Sequence, residues 1–121
     1  MATHILLLED ESEQRELLTS VLESEGYLIT AVESAELALD EVKAKKPNVI
    51  IADVKLPKMD GFEFFKQIRK TPDMLSVPVI FVTAFGDPKA VEEVIRLGAA
   101  YITKPYQIER LLEAIKKVEK K

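Results

Sequence analysis

Cysteine is absent from this 121-residue chain, which excludes disulfides and thiolate metal sites and fits a reducing compartment. Histidine occurs only at position 4, where an apolar run begins. His4 is expected to be exposed at a strand start, and without a helical context it is no phosphodonor. A basic excess is missing too. Seventeen Lys and Arg against 21 Asp and Glu leave a net charge of −4, so there is no footprint for direct binding to nucleic acid. Long apolar runs are lacking: Met1-Ala2-Thr3-His4 has no basic region, and no stretch could act as a signal peptide or span a bilayer. Neither G-x-x-x-x-G-K-[ST] nor G-x-G-x-x-G occurs, so the chain is not expected to hold ATP itself. These absences together leave a soluble cytoplasmic domain as the expectation.

What is present is a regular alternation. Apolar runs predict strands near 4–9, 28–32, 48–53, 78–83 and 100–103. Between them, helices are predicted near 12–25, 34–45, 61–71, 87–97 and 107–119. Each helix carries one apolar stripe at helical spacing: Ala35, Ala38, Leu39 and Val42 in the second; Val91, Val94 and Ile95 in the fourth; Ile108, Leu111, Leu112, Ile115 and Val118 in the last. Gly26 and Gly98 follow helical patterns as left-handed caps do. Asp87-Pro88 reads as an N-cap with proline at the first helical position, and Pro78 opens the fourth strand. Lys116, Lys117, Lys120 and Lys121 suit the end of the last helix electrostatically. Strict βα alternation with short loops predicts a parallel sheet with right-handed crossovers, an α/β doubly wound three-layer sandwich. At this length one domain is expected, over residues 1–121, with no output domain.

The strand ends carry the chemistry. The first strand runs into Glu9-Asp10, the third into Asp53, the fourth into Thr83 and the fifth into Lys104-Pro105. Open α/β sheets place ligand sites at that carboxyl edge. Two carboxylates about 4 Å apart repel by about 4 kcal/mol at an effective dielectric near 20. Three acids therefore require either a held proton or a cation. With oxygen donors alone the cation is hard: Mg2+, with Mn2+ as a possible substitute. Mg2+ favours a few carboxylates, water and a phosphate oxygen, so the site looks built for a phosphoryl group contacted by Lys104 and the Thr83 hydroxyl. The simplest remaining chemistry is a carboxylate nucleophile accepting a phosphoryl group in line. Asp53 is the candidate nucleophile; Glu9 and Asp10 are the candidate metal holders.

Taken together, Glu9-Asp10, Asp53-x-x-Leu56-Pro57-x-Met59-Asp60-Gly61, Thr83-Ala84 and Lys104-Pro105 resemble the receiver domain of two-component response regulators, over essentially the whole chain. The resemblance implies a flavodoxin-like sandwich with strand order 2-1-3-4-5. It implies transfer of a phosphoryl group to Asp53 from the phosphohistidine of a sensor histidine kinase or a phosphotransfer protein. Mg2+ would be held by Asp10, Asp53 and the backbone carbonyl of Lys55, with Glu9 acting mostly through water. The Ala84 amide would assist Thr83, and the Lys104-Pro105 bond would be cis. Glu9 departs from the pattern, since the family more often has Asp there.

The resemblance also implies a switch and its partners. Thr83 would move toward the phosphate and let Tyr101 turn inward, altering a face that includes Val91, Ile95, Tyr101, Tyr106 and Gln107, where a downstream effector protein or domain docks. The kinase would dock near Glu11, Gln14 and Leu18, with Tyr106 nearby. Lys55 and Phe85 would influence phosphoryl lifetime, with Phe85 shielding the acyl phosphate from water. Such a domain catalyses its own phosphorylation and dephosphorylation and exists as a monomer or a phosphorylation-dependent homodimer. A haloacid-dehalogenase-like phosphohydrolase is excluded by Lys55, where that family has a second Asp. The alternative is a phosphate-independent pseudo-receiver acting as an interaction module; such domains usually lose the acids, the threonine or the lysine, all retained here.

Overall fold

In a computed structural model describing residues 2–84 and 86–119, the alternation is realised as β1 (His4–Leu8), α1 (Ser12–Ser24), β2 (Leu28–Val32), α2 (Ala35–Ala44), β3 (Val49–Asp53), α3 (Gly61–Ile68), β4 (Val79–Ala84), α4 (Pro88–Arg96), β5 (Ala100–Lys104) and α5 (Ile108–Glu119). All strand pairings are parallel, in the order β2-β1-β3-β4-β5. β3 is central and every one of its residues is buried, as its unbroken apolar run requires.

Alternation along the strands sorts the core into two layers. Leu6, Leu8, Ile50, Ala52, Val79 and Phe81 face Ala35 and Ala38 of α2, Phe64 and Ile68 of α3, and Ala90 and Val94 of α4. Ile5, Leu7, Val49, Ile51, Ile80 and Val82 face Leu18 and Leu22 of α1 and Leu111 and Ile115 of α5. Complete burial of a side chain such as Phe64 or Leu22 contributes about 1.5–3 kcal/mol. The Asp87 carboxylate caps α4 by accepting from the Ala90 amide at 3.2 Å. Gly26 and Gly98 adopt φ of 96° and 73°, as expected of residues that terminate helices in the left-handed region.

Several expectations need correction. α3 stops at Ile68, short of position 71, because Pro72–Met74 forms a 3-10 turn and Thr71 before the proline is extended. The Arg69 guanidinium closes this turn by donating to the carbonyls of Met74 and Val77. Ile95 leaves the apolar stripe and is 62% exposed, since Ala90 and Val94, one turn apart, supply the buried face of α4. His4 is half-buried, because β2 and β3 flank β1 from its first residue. Its Nε2 lies 2.8 Å from Thr30 Oγ1, and burial, with nearby Lys45, holds its pKa below the usual value. Lys116 and Lys117 stand in the last turn of α5, whereas Phe85, Lys120 and Lys121 lie outside the described residues. No described helix is long and apolar enough to cross a membrane.

Candidate functional site

The strand register brings the expected side chains together. Leu8 pairs with Ala52, Asp53 with Val82, Thr83 with Thr103 and Ala84 with Lys104. Glu9, Asp53, Thr83 and Lys104 therefore emerge at one carboxyl edge. Among the described residues, Glu9, Asp53 and Thr83 are the buried polar or charged ones, at 2%, 7% and 1% exposure. The other buried residues are apolar or glycine and proline, so burial of polarity is concentrated at this edge.

Lys104 Nζ reaches Asp53 Oδ2 at 3.3 Å and Glu9 Oε1 at 3.8 Å. The second Glu9 oxygen accepts from the Glu11 amide at 3.1 Å. Asp10 is exposed, yet one oxygen from each of Glu9, Asp10 and Asp53 lies within 4.8 Å of the others. Burial, reinforced by the Glu9 charge, pushes the Asp53 pKa up to about 7, even though Lys104 opposes the shift. Burial works against the Lys104 ammonium, but Asp53 and Glu9 outweigh it and hold its pKa above the usual value. Tyr106 beside the site is raised to about 12 by burial and by the same two carboxylates.

One ammonium thus faces three carboxylates, and an all-oxygen donor set of this kind suits a hard divalent cation. A further sign of a missing partner is the buried Thr83 Oγ1, which has no hydrogen bond among the described residues. It lines the same cavity of about 320 Å³ as Asp10, Asp53, Lys55, Ala84 and Lys104. A buried hydroxyl left unpaired costs about 1–3 kcal/mol, so a ligand oxygen offered there gains that much by pairing it. The residues present fit both a cation and an oxyanion.

Three contributors have roles at the site that sequence reasoning did not assign. Asp87, recognised as a helix cap, also lines the cavity. Gly61 permits a close approach: a Cβ there would stand 2.3 Å from the Asp53 carbonyl oxygen. The motif gave its offset from Asp53 without a reason, and the preceding Asp60 caps α3 by accepting from the Glu63 amide at 2.8 Å. Arg15 folds back from α1 onto the Glu9–Asp10 turn, and only its position within one helical turn of Glu11 hinted at that reach.

The expected partner residues divide unevenly. Glu11, Gln14 and Tyr106 line one groove between α1 and the loop after β5. Leu18 touches that groove but is only 5% exposed and belongs to the core, so it offers little as a docking side chain; the α1 stripe turns Leu18 inward. Leu17, 57% exposed, presents the apolar surface there instead. Val91, Tyr101, Tyr106 and Gln107 line a second groove across β5 and α5. Ile95 is exposed on α4 without lining it. Tyr101 is 42% exposed. Lys55 is exposed, and the shielding role expected of Phe85 falls outside the described residues. The Lys104–Pro105 bond is cis, as the resemblance implied.

Comparison with known proteins gives a consistent result. The family model described as the response regulator receiver domain matches residues 5–116. The polar-differentiation response regulator DivK of Brucella ovis is 35% identical over 118 residues, covering 96% of this chain and 95% of DivK. A candidate response regulator from Chloroflexus aurantiacus superposes with a TM-score of 0.94 at 30% identity, over 100% of both chains. The signal receiver domain of a signal transduction histidine kinase from Syntrophus aciditrophicus gives 0.90 at 33% identity, over 98% of this chain and 91% of the other.

Proposed function

Because the chain belongs to the response regulator receiver family, we propose that it accepts a phosphoryl group on Asp53 and relays that event to an effector. The donor is the phosphohistidine of a histidine kinase or a phosphotransfer protein. An Asp53 oxygen attacks phosphorus, a P–O bond forms as the P–N bond breaks, and the departing imidazole nitrogen keeps the electron pair and takes a proton. The observation that carries this reading is Asp53 itself: buried, crowded by Glu9, contacted by Lys104, and sharing its cavity with an unpartnered Thr83 hydroxyl.

Asp10, Asp53 and the backbone carbonyl of Lys55 would hold Mg2+, or Mn2+ in its place. Both Glu9 oxygens already face other groups, which favours contact through water for that residue. When bound, the ion supplies positive charge that keeps the carboxylates ionised and offsets charge on the phosphoryl oxygens. Lys104 offers the protein's own cation to those oxygens, while Thr83 Oγ1 and the Ala84 amide donate to them. Registering Thr83 with Thr103 and Phe81 with Tyr101 puts Tyr101 on the same sheet face as Thr83. Movement of the Thr83 hydroxyl toward the phosphoryl group opens room for Tyr101 to turn inward. The α4-β5-α5 face is then the output surface, and the α1 groove receives the kinase.

The test is intact-mass measurement after incubation with Mg2+ and acetyl phosphate. A gain of one phosphoryl group that disappears in Asp53→Asn supports the reading. No gain in the wild type overturns it and favours an interaction module that works without phosphate.

A further inference from the structure

Side chains of Ser34, Asp60 and Asp87 cap α2, α3 and α4, but the turn that carries Glu9 and Asp10 leads into a helix without such a cap. α1 begins immediately after it, and Glu11 at the cap position gives no side-chain hydrogen bond to the helix. Among the described residues no backbone amide donates to the carbonyl of Glu9 or of Asp10. One side chain fills both vacancies. Arg15 Nη1 lies 2.9 Å from the Glu9 carbonyl oxygen and 3.4 Å from that of Asp10. Arg15 is itself half-buried, and its backbone amide makes the first bond of the helix, to Glu11 at 2.9 Å. It is thus anchored at one end while its guanidinium spans the turn. Neither acidic side chain is its partner: no ion pair joins Arg15 to Glu9 or Asp10 among the described residues.

We infer that Arg15 is a positioning residue, clamping the backbone of the Glu9–Asp10 turn so that the two carboxylates converge with Asp53 on a divalent cation. The inference rests on the proposed Mg2+ site but concerns a residue outside its donor set. Arg15 is the outer support that metal-binding carboxylates need, delivered here to the backbone and not to the carboxylates themselves.

The charge of Arg15 makes the test decisive, because two roles predict opposite signs. A cation beside the site repels Mg2+, so removing a merely electrostatic Arg15 would tighten Mg2+ binding. Removing a clamp lets the turn move and weakens it. Calorimetric titration of the full chain with MgCl2 should therefore show Arg15→Ala binding Mg2+ about tenfold more weakly than the wild type. Arg15→Lys keeps the charge and a donor and should recover part of that loss. Arg96→Ala serves as the control for losing one distant charge, since Arg96 is exposed and, among the described residues, pairs only with Glu93 on its own helix. Equal or tighter binding by Arg15→Ala overturns the inference while leaving the proposed function standing. If Arg15→Ala fails to fold, Arg15→Met, which keeps the apolar stem and loses every donor, decides: affinity for Mg2+ equal to or tighter than wild type in that variant overturns the clamp. A wild type that takes up neither Mg2+ nor a phosphoryl group overturns both readings.

Discussion

Asp53→Asn should stabilise the metal-free protein at neutral and alkaline pH, although it removes the proposed phosphoacceptor. In the folded chain the Asp53 pKa stands at about 7, against 3.8 when unperturbed, because burial and Glu9 outweigh Lys104. A raised carboxyl pKa means that the native state holds a proton the unfolded state has released. Its contribution to stability is therefore fully present below pH 3.8 and lost as pH climbs toward and through about 7. Integrated over that window, the loss has a ceiling of about 4 kcal/mol. Asparagine cannot ionise and escapes this loss; the pull of Lys104 is already contained in the shifted pKa, and relaxation around the ionised carboxylate keeps the realised loss below the ceiling. The net expectation above pH 8 is about 2 kcal/mol in favour of Asp53→Asn, or roughly 8 °C in Tm. Near pH 4 the two proteins should agree within about 0.5 kcal/mol. Urea denaturation in EDTA across pH 4–8 measures the gap, since every other titrating group is common to both chains. Added Mg2+ at pH 8 should close it by stabilising the wild type selectively. A variant less stable than the wild type at pH 8 in EDTA, or a gap that ignores pH, would refute the assignment of Asp53 as a repelled, buried carboxylate.

Gly61→Ala should cost about 3 kcal/mol by urea denaturation and reduce phosphoryl uptake, because the new Cβ meets the Asp53 carbonyl oxygen at 2.3 Å and displaces the end of β3; wild-type behaviour in both assays would contradict the close approach. Leu17→Lys should leave urea stability within about 0.5 kcal/mol while slowing transfer from the cognate kinase, whereas Leu18→Ala should lose about 3 kcal/mol. Equal stability losses in the two variants would mean that the division of α1 into exposed and core positions is wrong. Tyr101→Ala should accept a phosphoryl group at the normal rate yet bind its effector roughly tenfold more weakly, as measured by titration of the phosphorylated form; unchanged binding would remove Tyr101 from the switch.

Much of the fold was legible because its rules are local. The unbroken run Val49-Ile50-Ile51-Ala52 could only be a strand covered on both faces, and short βα connections left parallel pairing as the outcome. Asp87-Pro88 and Gly98 marked their boundaries by backbone preference alone. The end of α3 was less legible, since the helical pattern continues toward Thr71 and only the 3-10 turn closed by Arg69 explains the early stop. Leu17 and Leu18 are chemically identical, and which of them faces the sheet depends on the rotation of α1 about its axis. His4 looked like an exposed strand start because its cover comes from β2 and β3, residues distant in sequence.

The candidate site divides along the same line. Sequence determined its composition: three acids, a hydroxyl and an ammonium, each ending an apolar run, in a chain without the cysteines or phosphate loops that other chemistries need. Charge repulsion among those acids by itself calls for a proton or a cation. Only tertiary structure decided how strongly those groups act on one another. Parallel register set Lys104 between Asp53 and Glu9, burial raised the Asp53 pKa, and enclosure left the Thr83 hydroxyl without a partner among the described residues. Arg15 was invisible beforehand, and Gly61 stood only as a member of the motif without a role, because both act through distances to backbone carbonyls, which side-chain patterns do not encode. Residue type sets what a site can do, while solvent exclusion and spacing of about 3 to 4 Å set the strength of its electrostatics.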